Sequence, residues 1–210
     1  ISDDDGRTAF EAQTPEIRNF ILNQTLFCGR FELASFRPKN PAKPEHATDT
    51  SVVLRGTDKF PSSDKDGKKH PRDVVLKLMK HKKQFDNEID QRKGLDHKFI
   101  LKVIYTSTDD GLASKWTNEL PPAYRAFEFG IVMPAAERNL LDVLLKERVG
   151  LALAKTMFAS FAAALGHLHE QGLIQGDFKP SNVVRMPDGT WILIDLDAAV
   201  RIGQPIGVKV

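Results

Sequence analysis

The chain has 210 residues, with 30 Lys and Arg against 28 Asp and Glu, and its net charge of +2 is too small to argue for a nucleic-acid partner or a charged membrane surface. Hydrophobic residues at 41% and charged residues at 28% are the balance of an ordinary soluble globular protein, and no run approaches the ~18 apolar residues of a membrane span. The single cysteine, Cys28, excludes an intrachain disulfide and fits a reducing compartment, so a cytoplasmic location is expected.

The chain opens on Ile1-Ser2-Asp3-Asp4-Asp5, which is acidic, has no initiator Met and shows no basic-then-apolar signal pattern. A piece of a longer protein is expected. A weak helical pattern surrounds Phe20, Ile21 and Leu22. From Arg37 to Arg72 the chain carries Pro38, Pro41, Pro44, Pro61 and Pro71 around one apolar run, Val52-Val53-Leu54, which predicts loop with one strand. The basic residues Lys65, Lys68, Lys69, His70 and Arg72 are diluted by Asp64, Asp66 and Asp73 and read as a solvated loop.

Val74 to Met79 predicts a buried strand. Lys82 to Leu95 predicts a helix stopped by Gly94, Ile100 to Tyr105 a strand, Asp109 to Pro122 a loop, Tyr124 to Met133 a strand and Leu140 to Leu145 a short helix. Leu151 to Gln171 has the clearest helical spacing, with Leu153, Met157, Phe158, Phe161, Leu165 and Leu168 in step and Gly172 as a stop. Val183 to Arg185 and Trp191 to Ile194 flank Pro187-Asp188-Gly189 and predict a hairpin. Strands dominate the first half and helix the second. The expectation is an α+β protein of two lobes.

One constellation carries chemistry. Asp177 precedes Asn182 by five residues with Lys179 between them, and Asp195 ends the hairpin 18 residues after Asp177. A hairpin returns such positions to one cleft, where two carboxylates, an amide and an ammonium converge. That inventory suits phosphoryl transfer. One carboxylate orients and deprotonates the attacking hydroxyl, the other joins the amide as hard oxygen ligands for Mg²⁺, and the ammonium neutralises the moving phosphoryl group.

The segment Gln175-Gly176-Asp177-Phe178-Lys179-Pro180-Ser181-Asn182 resembles the catalytic loop of eukaryotic protein kinases, and Ile194-Asp195-Leu196-Asp197 resembles their D-F-G site. The resemblance covers roughly residues 50 to 210 and is strongest from 165 to 197. It implies a bilobal kinase-like fold: an N-terminal extension and possible first strand over 1–50, a small lobe and hinge over 51–136, and part of a helical lobe over 137–210. It implies ATP and Mg²⁺, with Asp177 as base, Lys179 as the loop lysine that serine/threonine kinases carry, and Asn182 and Asp195 as metal ligands. The implied substrate is a Ser or Thr hydroxyl of a protein. Val74-Val75-Leu76-Lys77 resembles V-A-I-K, whose lysine contacts the nucleotide phosphates, and Glu88, eleven residues on, resembles its helix partner. Gly130 to Ala136 resembles a hinge, which implies Met133 as gatekeeper and the Pro134 carbonyl and Ala136 backbone at the adenine edge.

The chain departs from that pattern in four ways. It has no G-x-G-x-x-G, only the lone Gly29 and Gly56. Gly176 stands where the family's arginine reads a phosphorylated activation loop, so activation is expected not to depend on that phosphate. Asp197 replaces the D-F-G glycine, either as a further metal ligand or as a turn cap. Only 13 residues follow Asp197, so the family's activation segment and later helices would lie beyond Val210. The Gly176-Asp177 pair and the extra acid admit a small-molecule phosphotransferase of the aminoglycoside or choline kinase kind. The missing glycine-rich loop admits a pseudokinase that only binds partners.

Overall fold

The computed structural model describes residues 26–36, 43–61 and 71–205. Among them the chain is a mixed α+β protein whose named sheets are all antiparallel. The pattern around Phe20 and the basic run from Lys65 to His70 lie outside the described residues.

The largest sheet is built on β3 (Ser51–Asp58) and β4 (Arg72–Met79), paired along eight positions from Ser51 opposite Met79 to Asp58 opposite Arg72. β6 (Phe129–Pro134) lies on the far side of β4, and β5 (Tyr105–Thr106) pairs with β6. The other edge of β3 is shared by two short strands. β1 (Phe31–Leu33) pairs its Gly56–Asp58 end, and β2 (His46–Ala47) pairs Val52 and Val53. Side chains alternate across a strand. Val74, Leu76 and Leu78 are therefore fully buried in one core with Phe31, Leu54 and Trp116, while Val75 and Lys77 turn to the opposite face.

Four sequence expectations are corrected in this half. The apolar run 52–54 is the first half of an eight-residue strand that continues because polar Arg55 and Thr57 occupy its more exposed face. The strand expected over 100–105 joins the sheet only at Tyr105 and Thr106, since Ile100 bridges Leu193 instead and Leu101 N–H donates to the Leu193 carbonyl. The loop expected over 109–122 contains α2 (Ala113–Glu119), which exists to bury one residue, Trp116, 1% exposed and edge-on to Phe27 at 5.1 Å. Single-sided burial leaves no helical periodicity to read. The strand expected to start at Tyr124 starts at Phe129.

Helix α1 (Lys82–Asp90) is shorter than its pattern and unwinds before Gly94. β7 (Arg138–Asn139) leads into α3 (Leu140–Lys146), whose first turn is capped by the Asn139 side chain accepting from Asp142 N–H at 2.8 Å. Helix α4 (Leu151–Glu170) matches its expectation. Met157, Phe161, Ala164 and Leu168 form its buried face, packed in a second core with Trp191, Leu193 and Leu196. By length and composition alone this helix is apolar enough to cross a bilayer. β8 (Leu173–Ile174) follows it, and the hairpin of β9 (Val183–Arg185) and β10 (Trp191–Leu193) forms as expected. β11 (Val200–Arg201) returns to pair with β8. A third apolar cluster, containing Met79, Phe85, Leu101, Ile131 and Met133 and flanked by Val75, Met186 and Ile194, lies between the other two.

Candidate functional site

Lys77 is set by the register. Its Cα lies opposite Val53 on one side and Ile131 on the other, on the sheet face away from the first core. There its ammonium donates to Glu88 Oε2 at 2.9 Å and to Asp195 Oδ1 at 2.7 Å, and Asp197 Oδ2 lies 3.9 Å away. Burial alone pushes this ammonium down. The carboxylates of Glu88, Asp195 and Asp197 outweigh it and hold the group above its ordinary value, so it is charged at neutral pH.

Glu88 comes from α1 and is fully buried. Its second oxygen accepts from Arg92 Nη1 at 2.5 Å, and the same nitrogen donates to the Glu88 carbonyl at 2.9 Å. Arg92 was not singled out in the sequence, although the i,i+4 spacing of Glu88 and Arg92 was legible. The eleven-residue spacing of Lys77 and Glu88 closes well, because β4 runs almost directly into α1.

Asp195 follows β10 in a left-handed conformation, φ 62°, which swings its carboxylate back toward Lys77. Asp177 sits after β8. Its carboxylate accepts from Lys179 Nζ at 2.7 Å and from Asn182 Nδ2 at 3.1 Å, and that amide also donates to the Asp177 carbonyl at 2.9 Å. Residues 180–182 form a 3-10 turn, and the Asn182 carbonyl accepts from Ile194 N–H at 2.9 Å. That bond ties the loop of Asp177 to the residue before Asp195. A second tie comes from Gln175, whose buried amide donates to the Asp195 carbonyl at 3.0 Å and accepts from Asp177 N–H at 2.6 Å. Lys77, Glu88, Asp177, Lys179, Asn182 and Asp195 therefore belong to one connected network.

The segment proposed as a hinge has acceptors to offer. Val74 and Pro134 are opposite each other while Ala135 N–H donates to the Asp73 carbonyl at 3.0 Å, one step along. The Val74–Pro134 pair is thus a wide one, and the Pro134 carbonyl turns away from β4. Met133 is buried on the same row as Val75 and Arg55. Ala136 differs from expectation: its carbonyl accepts from Arg55 Nη2 at 2.7 Å, and Arg55 is itself paired with Glu45 at 2.7 Å. No sequence signal pointed to Arg55. Neither lone glycine lies in a phosphate-covering loop. Gly29 is in the tight turn before β1, and Gly56 is inside β3 against Leu33.

One carboxylate oxygen from each of Glu88, Asp195 and Asp197 lies within 4.8 Å of the other two, close enough to share a cation. Asn182 directs its Nδ2 at Asp177 in both hydrogen bonds, leaving Oδ1 as the amide atom of the right polarity for a metal. No model of a known protein family matches the chain, and a search of curated proteins finds no significantly similar sequence.

Proposed function

We propose that the chain is the nucleotide-binding and catalytic part of a bilobal serine/threonine protein kinase, transferring the ATP γ-phosphoryl group to a protein hydroxyl. The observation that carries this reading is the double engagement of Lys77 by Glu88 and Asp195, residues 11 and 118 positions away. A buried lysine held between a helix carboxylate and a loop carboxylate is an arrangement suited to steering phosphate oxygens. Asp177 is the base: its carboxylate is a quarter exposed and is oriented by Lys179 and Asn182. Lys179, held beside the Asp177 carboxylate at 2.7 Å, would offset charge on the transferring group. The Pro134 carbonyl and Ala136 N–H receive the adenine edge, with Val75, Met133, Met186 and Ile194 as apolar walls.

Asp195 and Asn182 would hold Mg²⁺, with Asp197 as a further carboxylate within reach, and the ion would supply positive charge to offset that of the phosphates. A small-molecule phosphotransferase is favoured over a protein kinase by one feature, the third carboxylate beside Lys77. Mg-ATP-dependent labelling of a generic protein substrate and of small alcohols, beside Asp177→Ala, separates the two. Protein labelling that falls ~10²-fold or more in Asp177→Ala is the expected result. Labelling of alcohols alone supports the second reading. No labelling at all, or an Asp177→Ala protein as active as wild type, refutes both.

A further inference from the structure

We propose that Gln175 is a positioning residue that couples Asp177 to Asp195 and keeps the site assembled without a phosphorylation cue; this rests on the phosphotransfer reading above. Gln175 is 2% exposed, and both ends of its amide are used. Its Oε1 accepts from the Asp177 N–H and its Nε2 donates to the Asp195 carbonyl, so one side chain holds the base loop and the metal-ligand loop in fixed relation. Only a carboxamide offers a donor and an acceptor on neighbouring atoms at every pH of interest. A buried polar group with both bonds made is costly to disturb, because either half left unpaired loses its desolvation offset.

The backbone around Gln175 closes on the same partner. Ile174 pairs with Val200 and Leu173 with Arg201, and Ile202 N–H donates to the Gly172 carbonyl. Gly176 has φ 77°, and a Cβ there would sit 2.1 Å from the Ala198 carbonyl oxygen. Ala198 is seated so closely on Gly176 that no side chain fits between them. Leu196, two residues before Ala198, is fully buried in the second core. A cation at position 176 is therefore excluded by space, and the seat is made by the Gln175 amide, the β8–β11 pairing and the bare Gly176 backbone. None of these contacts uses a phosphate.

The test uses Gln175→Glu, which keeps the acceptor toward Asp177 N–H and loses the donor toward Asp195, and Gln175→Met, which loses both. Transfer kinetics should show kcat down ~10-fold in Gln175→Glu and ~10²-fold in Gln175→Met, with KM for ATP within ~3-fold and half-saturating Mg²⁺ raised ~5-fold or more. Hydrogen exchange is measured without nucleotide. The Asp177 amide should exchange ~10-fold faster or more in Gln175→Met, with core amides such as Phe161 unchanged. Gly176→Ala should reproduce the kinetic pattern. Wild-type kinetics together with wild-type exchange in Gln175→Met overturn the proposal, as does activity that rises only when the protein is phosphorylated. Should the wild-type protein transfer no phosphate, the phosphotransfer reading fails and the exchange result alone decides whether Gln175 couples the two loops. If Gln175→Met does not fold, Gln175→Glu carries the same decision.

Discussion

Replacing Glu88 with Gln tests the centre of the network. The Glu88 side chain is fully buried, and its two cations are nearly so, at 10% for Lys77 and 9% for Arg92. Each of the two contacts is a charge-assisted hydrogen bond of ~1.5–3 kcal/mol. A glutamine retains one acceptor but turns its NH₂ on the other cation, so the expected loss is ~2–4 kcal/mol, within the range for breaking a buried pair. With a urea slope of ~2–3 kcal/mol/M the midpoint falls by about 1 M at unchanged slope. Lys77 would then be left to Asp195 and Asp197, and its ammonium would compete for the carboxylate assigned to Mg²⁺. Half-saturating Mg²⁺ should rise with it. Buried pairs are screened little, so the stability loss should be the same at low and high NaCl. Asp86→Asn, which breaks the exposed Lys82–Asp86 pair, is the control and should change stability by less than ~0.5 kcal/mol. A Glu88→Gln loss below ~0.5 kcal/mol, or one that disappears in salt, would refute the network as drawn.

Three further outcomes are expected. Trp116→Ala, in a segment whose sequence reads as loop, should destabilise by ~3–5 kcal/mol in urea unfolding, because its ring fills the first core against Phe27; a loss under ~1 kcal/mol would mean that α2 is dispensable. Cys28 should resist alkylation at pH 8 on the order of 10²–10³-fold more than a free thiol, because burial first, and the nearby Glu119 carboxylate second, push its thiol up to about 12; labelling at the free-thiol rate in folded protein counts against this. His97 lies stacked on His167 at 4.8 Å, and burial, then the charges of His167 and Lys98, hold its imidazole below the ordinary 6.5. Its folded form resists protonation that the unfolded chain accepts, so its contribution is intact above about 6.5 and is lost as pH falls through the lowered folded value. Urea midpoints measured from pH 7.5 to 5 should therefore fall less steeply for His97→Phe than for wild type, and parallel curves would contradict the assignment.

The sequence made the charged site legible and left much of its support hidden. Asp177, Asn182 and Asp195 could be read because a helix stop, a tight loop and an Asp-Gly hairpin fix their separation locally. Lys77 could be read because strand alternation decides which face it takes. Trp116, Arg55 and Gln175 could not be read, for three different reasons. Trp116 is a single buried residue on a polar helix and so has no periodicity. Arg55 reaches a carbonyl 81 residues away, a contact set by the register of β3 against β4 and β6. Gln175 and Gly176 read as departures from a pattern, and their meaning appears only when β11 folds back on β8.

The same logic bears on how the proposed site would hold a nucleotide. The hairpin joining β2 to β3 ends beyond the row of Lys77, since Val53 is opposite Lys77 and Ser51 opposite Met79. Three of its backbone amides are already used. Thr48 Oγ1 accepts from Ser51 N–H at 3.0 Å and from Thr50 N–H at 3.4 Å, and Thr48 N–H donates to the Ser51 carbonyl at 2.8 Å. A glycine-rich turn would present such amides to phosphate; this one closes two of them on its own hydroxyl and a third on the Ser51 carbonyl. In the proposed complex, phosphate charge would be offset by Lys77, Lys179 and a metal ion held by Asp195 and Asn182 more than by the amides of this turn. Cationic side chains need fixed partners to stay pointed at a ligand, whereas a loop of amides carries its own geometry. That need gives a physical reason for Lys77 to be held by Glu88, for Glu88 to be held in turn by Arg92, and for Asp195 to be fastened through its backbone by Gln175.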